Sequence, residues 1–185
     1  MIDAAMAAIR AGEIVGVPTD TVYGLGVDPL NDAAVESLFE LKGRPENKPV
    51  GVLVASIDQA VLFGEIEGDA LRLAQTHWPG ALTLVVLPKV ILADWVGDVQ
   101  RRTVGVRVPD HPLARRLLEE TGPLAVTSAN PSGGVEARDD SEARGIFGDE
   151  VAVYLPGRSP GGEASTVVDA SGARLSVLRV GPVEL

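Results

Sequence analysis

The sequence predicts an α/β fold: one domain with a twisted, mixed β-sheet of about seven strands, flanked by helices and holding a concave site. Three observations lead to it. Short apolar, β-branched runs such as residues 50–55 and 81–87 alternate with stretches of helical period, the pattern of strand-then-helix units. Residues 165–169 and 175–180 read as a closing hairpin around Ala170-Ser171-Gly172-Ala173, which makes the sheet mixed rather than wholly parallel. The 185 residues contain no polar linker, repeat or low-complexity tract, so residues 1–185 are expected to share one core.

In chain order, residues 2–11 form a short helix closed by Gly12, and residues 13–17 the first strand. Pro18-Thr19-Asp20-Thr21-Val22-Tyr23-Gly24-Leu25-Gly26 follows. Pro18 ends the strand, the hydroxyls cluster, and the glycines permit close backbone approach, so this stretch reads as a pocket floor. Asn31 or Asp32 caps a helix in which Val35, Leu38, Phe39 and Lys42 share helical spacing, and Gly43 with Pro45 stops it. The strand at 50–55 leads through a Ser56/Gln59 capping box into another helix. A helix over 69–78 ends at Pro79-Gly80 before the strand at 81–87, and residues 90–96 fit neither class. Residues 103–108 alternate as a strand, Asp110 caps a helix that stops at Gly122-Pro123, and the short strand 124–127 opens into Ser128-Ala129-Asn130-Pro131-Ser132-Gly133-Gly134. Asp139-Asp140 caps a short helix and residues 151–155 form a further strand. The segment 156–164, with two prolines and three glycines, reads as a mobile flap.

Composition removes several function classes. The net charge of −10 opposes an extended electrostatic grip on nucleic acid and leaves room only for a local basic pocket. Without cysteine there is no disulfide, thiolate nucleophile or sulfur metal site, and two distant histidines make no metal cluster. The first helix is too short and mixed for a signal peptide, and no apolar run approaches a membrane span, so a cytoplasmic location is expected.

Familiar nucleotide and hydrolase signatures are missing too. There is no Gly-Lys-Ser/Thr, Pro29 stands where a dinucleotide fingerprint needs its third glycine, and no Gly-x-Ser-x-Gly surrounds Ser128, Ser132 or Ser165. What remains is a set of cations and hydroxyls at element ends: Lys42, Arg44 and Lys48; Arg107; Thr127, Ser128 and Asn130; Ser165; Arg179. Guanidinium groups and loop amides suit phosphate and carboxylate oxygens, so an anionic ligand is the expectation. Each residue also has a plainer reading. Lys42 at a helix C-terminus can serve the helix dipole, worth about 0.3–1 kcal/mol. Arg107 and Arg179 can point outward from half-buried strands, and Ser128 and Asn130 can belong to an ordinary turn.

Taken together, the segments Pro18 to Leu25, Lys42-Gly43-Arg44-Pro45, His77-Trp78-Pro79-Gly80-Ala81-Leu82-Thr83, residues 104–109, Thr127-Ser128-Ala129-Asn130-Pro131-Ser132-Gly133, Ser165-Thr166-Val167-Val168-Asp169 and Arg179-Val180-Gly181 resemble the YrdC family of L-threonylcarbamoyladenylate synthases. The resemblance runs in order from about residue 13 to 181. It implies a reaction of L-threonine, bicarbonate and ATP giving threonylcarbamoyl-AMP and pyrophosphate, with the activated group later passed to a tRNA adenosine beside the anticodon. By that similarity Lys42, Arg44, Lys48, Thr103, Ser128, Asn130 and Arg179 line the ATP site, with Lys42, Arg44, Ser128 and Asn130 closest to the chemistry. Thr21, Arg107, Thr127 and Ser165 hold threonine. Mg²⁺ on the phosphates and partner proteins that take over the intermediate are implied, and the chain resembles the short members without a C-terminal domain. Two other readings stay open: an RNA- or tRNA-binding module without chemistry, given little support by the acidic balance, and a carbamoyl-transfer relative.

Overall fold

The structure, a computed structural model, describes residues 1–43, 49–161 and 163–184. The first helix, α1 (Ile2–Arg10), precedes β1 (Val15–Val17) and β2 (Gly24–Val27), and α2 (Asp32–Lys42) leads to β3 (Gly51–Leu53). Two helices, α3 (Ile57–Phe63) and α4 (Gly68–His77), come before β4 (Leu82–Val86) and β5 (Val104–Arg107). After α5 (Pro112–Thr121) and β6 (Leu124–Ser128) the chain forms α6 (Asp140–Phe147), β7 (Val153–Tyr154), β8 (Thr166–Asp169) and β9 (Ser176–Arg179). Among the described residues all nine strands join one mixed sheet in the order β7-β1-β2-β6-β3-β5-β4-β8-β9. Three pairs are parallel (β1 with β7, β3 with β5, β4 with β8), the others are antiparallel, and β8 and β9 form the expected hairpin.

The sheet thus has nine strands rather than about seven. The strand that local pattern did not suggest is β2, which pairs antiparallel with both β1 and β6 inside the stretch read as a pocket floor. Its glycines lower strand propensity but are required by packing: a Cβ on Gly24 would lie 2.6 Å from a Val126 methyl. Asp110 is not the cap of α5. His111 holds the N-cap position without a side-chain bond, Pro112 supplies the fixed φ of the first turn, and the Asp110 amide donates to Asp20 Oδ1 at 3.0 Å. Asn31, Ser56 and Asp139 do cap α2, α3 and α6 by accepting from the third amide beyond. The capping box at Ser56 is displaced by one residue, since Gln59 Oε1 accepts from the Ala55 amide at 2.7 Å.

Two buried clusters draw alternate residues from the same strands, so they lie on opposite faces of the sheet. The larger combines Val52, Val106 and Ala125 with residues of α2, α3, α4 and α6. The smaller combines Val15, Val17, Leu53 and Leu124 with α1 and α5. These two helices cover only part of their face. Over its remainder the outward positions are small: Gly24 opposite Ser128, Gly51 opposite Val126, and Gly105 opposite Val85. An open, shallow floor results.

Candidate active site

That floor carries a cavity of about 550 Å³, a volume typical of small-molecule sites. Gly51, Gly105, Val126 and Val167 form its base, while Thr21, Thr83, Thr103, Arg107, Thr127, Ser128, Ser165 and Arg179 bring polar groups to its walls. Seven of the eleven residues singled out from the sequence therefore meet in one place: Thr21, Thr103, Arg107, Thr127, Ser128, Ser165 and Arg179.

One end of the cavity is organised by Arg107, whose residue is 7% exposed. Its Nε donates to the Gly80 carbonyl at 2.9 Å, one terminal nitrogen donates to Thr21 Oγ1 at 2.9 Å, and the other pairs with the Asp20 carboxylate. Of five N–H donors, two remain for a ligand. Burial works against the charge and lowers the Arg107 pKa, and Asp20 opposes that effect. The strand arginine thus points into the site.

The Thr19 and Thr21 hydroxyls lie beside it. Thr19 Oγ1 lies 2.7 Å from the Val22 carbonyl, an acceptor only, and so commits its one proton there. The same oxygen accepts the Thr21 and Val22 amides at 3.2 and 3.3 Å, and the Thr21 hydroxyl lies 3.1 Å from it. Having accepted one N–H from Arg107, Thr21 Oγ1 keeps a second lone pair for the cavity. This end presents two cationic donors and a neutral acceptor side by side, the complement of an α-amino acid's carboxylate and N–H.

Arg179, near enough that its charge also lowers the Arg107 pKa, donates to Ser165, through Nε to the carbonyl at 2.9 Å and through a terminal nitrogen to Oγ at 3.2 Å. Thr83 and Ser165 hydroxyls lie 2.8 Å apart. Arg101 reaches the same cavity while paired with Asp169.

Lys42 and Asn130 are not among the lining residues. Lys42 is 3% exposed, and its ammonium donates to the Ser128 carbonyl, to the Asn130 carbonyl at 2.6 Å and to Asn130 Oδ1 at 3.2 Å. Asn130 in turn accepts from Ser128 Oγ at 2.6 Å and donates to Pro131 and Gly134 carbonyls. Together they hold the 128–134 loop from behind the cavity wall. Lys42, at the end of α2, is therefore buried against this loop. Arg44 and Lys48 lie outside the described residues.

Local pattern did not single out Thr19, Asp20, Thr83 or Arg101. A run of hydroxyl and carboxyl residues directly after a strand was the one available signal for the first two. Among the described residues no group of three or more His, Asp or Glu side chains is arranged to hold a metal, and no helix is long and apolar enough to cross a membrane.

Comparison with known proteins adds to this geometry. A family model described as Sua5/YciO/YrdC, telomere recombination, matches residues 7–181. A Mycobacterium tuberculosis protein provisionally named threonylcarbamoyl-AMP synthase is 46% identical over 185 residues, 98% of this chain and 84% of its own length. The threonylcarbamoyl-AMP synthase of Marinobacter nauticus is 39% identical over 170 residues, 87% of this chain and 86% of that protein. Among solved structures, that of P. abyssi Sua5 complexed with L-threonine superposes with a TM-score of 0.90 at 36% identity, over 97% of this chain. The chain spans about half, 54%, of that longer protein.

Proposed function

The chain belongs to the Sua5/YciO/YrdC family, and on that premise we propose that it is a threonylcarbamoyl-AMP synthase, an ATP-dependent nucleotidyltransferase of tRNA modification. The observation that carries the reading is the Arg107–Thr21 end of the cavity, which offers spare guanidinium donors beside a lone pair and so suits an amino acid. A relative of the same fold is known with L-threonine bound.

In the proposed reaction the threonine amine adds to bicarbonate with loss of water to give a carbamate. A carbamate oxygen then attacks the α-phosphorus of ATP, and the bond to the bridging oxygen breaks. Pyrophosphate leaves with the electron pair. The chief obstacle is the approach of two anions, and fixed positive charge lowers it. Arg107 and Thr21, with Thr127 and Ser165, position threonine. Thr103, Ser128 and Arg179, with Arg44 and Lys48, take ATP, which enters as its Mg²⁺ complex so that the metal comes with the substrate. Lys42 and Asn130 act on the nucleotide by fixing the loop that presents Ser128. The product passes to tRNA-modification partner proteins in the cytoplasm, and direct RNA binding is weak given the −10 charge.

The test is pyrophosphate release by purified protein given ATP, threonine and bicarbonate. Release requiring both co-substrates, with threonylcarbamoyl-AMP identified by mass, supports the reading. Release indifferent to threonine overturns it, and salt-sensitive RNA binding without turnover would favour a non-catalytic module.

A further inference from the structure

The segment expected to be a flap is, at residues 157–161, tied to the strand-to-strand turn that carries Thr19, Asp20 and Thr21. Ser159 is fully buried, at 0% exposure. Its Oγ accepts the Thr19 amide at 3.0 Å across 140 residues of sequence, and its own amide donates to the Arg138 carbonyl at 2.7 Å. Two residues on, the Gly161 amide donates to the Thr21 carbonyl at 2.8 Å. Gly157 packs so tightly on Pro18 that a Cβ there would lie 2.9 Å from the proline ring, and its amide donates to Asp140 Oδ1 at 3.2 Å. Arg158 pairs with Asp139 at 3.0 Å.

From these contacts we propose that Ser159 is a positioning residue for the amino-acid end of the site, acting through the Thr19 backbone. The Thr19 hydroxyl holds the turn by accepting the Thr21 and Val22 amides and donating to the Val22 carbonyl, and Asp20 and Thr21 together orient Arg107. A buried amide that loses its acceptor seeks a new one, and the turn reorganises to supply it. Because Ser159 touches neither Arg107 nor the cavity, its effect on a ligand is indirect. It falls on the amino acid and spares the nucleotide. The inference deepens the synthase reading and rests on it.

The experiment compares Ser159→Ala, Ser159→Cys and Ser159→Thr in the full chain. Steady-state kinetics, threonine titration calorimetry and amide hydrogen exchange are the readouts. Ser159→Ala is expected to raise the threonine KM about tenfold while the ATP KM and kcat stay within about twofold of wild type. Ser159→Cys, a poorer acceptor of similar size, should fall between, and Ser159→Thr should recover most of the loss. Amide exchange should accelerate at Thr19 and Gly161 and not in α1. If Ser159→Ala does not fold, the cysteine and threonine variants carry the comparison. An unchanged threonine KM, or equal changes for ATP and threonine, overturns the proposal. Should the wild-type protein neither bind threonine nor turn over, the synthase reading fails. Unaltered exchange at Thr19 would then sink the bracing role separately.

Discussion

Arg107 and Asp20, 87 positions apart in sequence, form an ion pair whose side chains are only 8% and 17% exposed, and that pair fixes the direction of the guanidinium. Removing one partner of such a pair leaves a buried charge without compensation. Asp20→Ala should therefore lower stability by on the order of 3 kcal/mol, read from urea unfolding. Asp20→Asn, whose amide oxygen still accepts, should cost less. Equal costs for the two would show that the negative charge is not what matters.

Arg107 makes three internal bonds, and in the proposed reading its remaining donors take the threonine carboxylate. Lysine cannot keep those bonds and also present two parallel donors. Arg107→Lys is expected to weaken threonine binding about 100-fold, measured by calorimetry, with ATP binding much less affected.

The buried ammonium of Lys42 supports three acceptors of the 128–134 loop. Lys42→Met should abolish turnover and also lower stability by about 2–4 kcal/mol, since those acceptors lose their charged donor inside the protein. Turnover lost at full stability, seen in paired unfolding and pyrophosphate assays, would instead place the ammonium in the chemistry.

Tyr23 is fully buried, with its hydroxyl on the Leu155 carbonyl at 2.7 Å. Burial, reinforced by Asp140 and Tyr154, raises its pKa well above the usual tyrosine range. The folded chain keeps this phenol neutral, whereas the unfolded chain ionises it near pH ~10. Its contribution is therefore intact below about pH 10 and lost progressively above it. Tyr23→Phe should cost about 1 kcal/mol at neutral pH and flatten the alkaline fall in stability. Parallel curves for variant and wild type from pH 9 to 11, roughly the phenol's ordinary titration range, would contradict this.

Local pattern disclosed most of the elements because amphipathic helices and β-branched runs announce themselves wherever burial sets the residue choice. β2 escaped because Gly24 and Gly26 answer to a neighbour, Val126, about a hundred positions away in the chain. The site was legible as a list of residue types and illegible as a set of pairings. Nothing near Arg107 announces Asp20. A serine in a proline- and glycine-rich segment gives no sign of reaching Thr19 across 140 residues. Lys42 shows the converse. Its helical spacing with Val35, Leu38 and Phe39 placed it on the apolar face, and that face is where it lies buried.

The strand order carries one more consequence, for how the chain acquires its shape. β6 lies between β2 and β3, and β1 pairs with β7, so the N-terminal third of the sheet cannot be completed until residues 124–128 and 153–154 have been synthesised. Sheets assembled from such distant partners fold slowly, because loop closure precedes the contacts that reward it. Pulse-labelled nascent chains should thus gain protease resistance only once the ribosome has released the β7 sequence, with the amino-acid end of the site among the last parts to form.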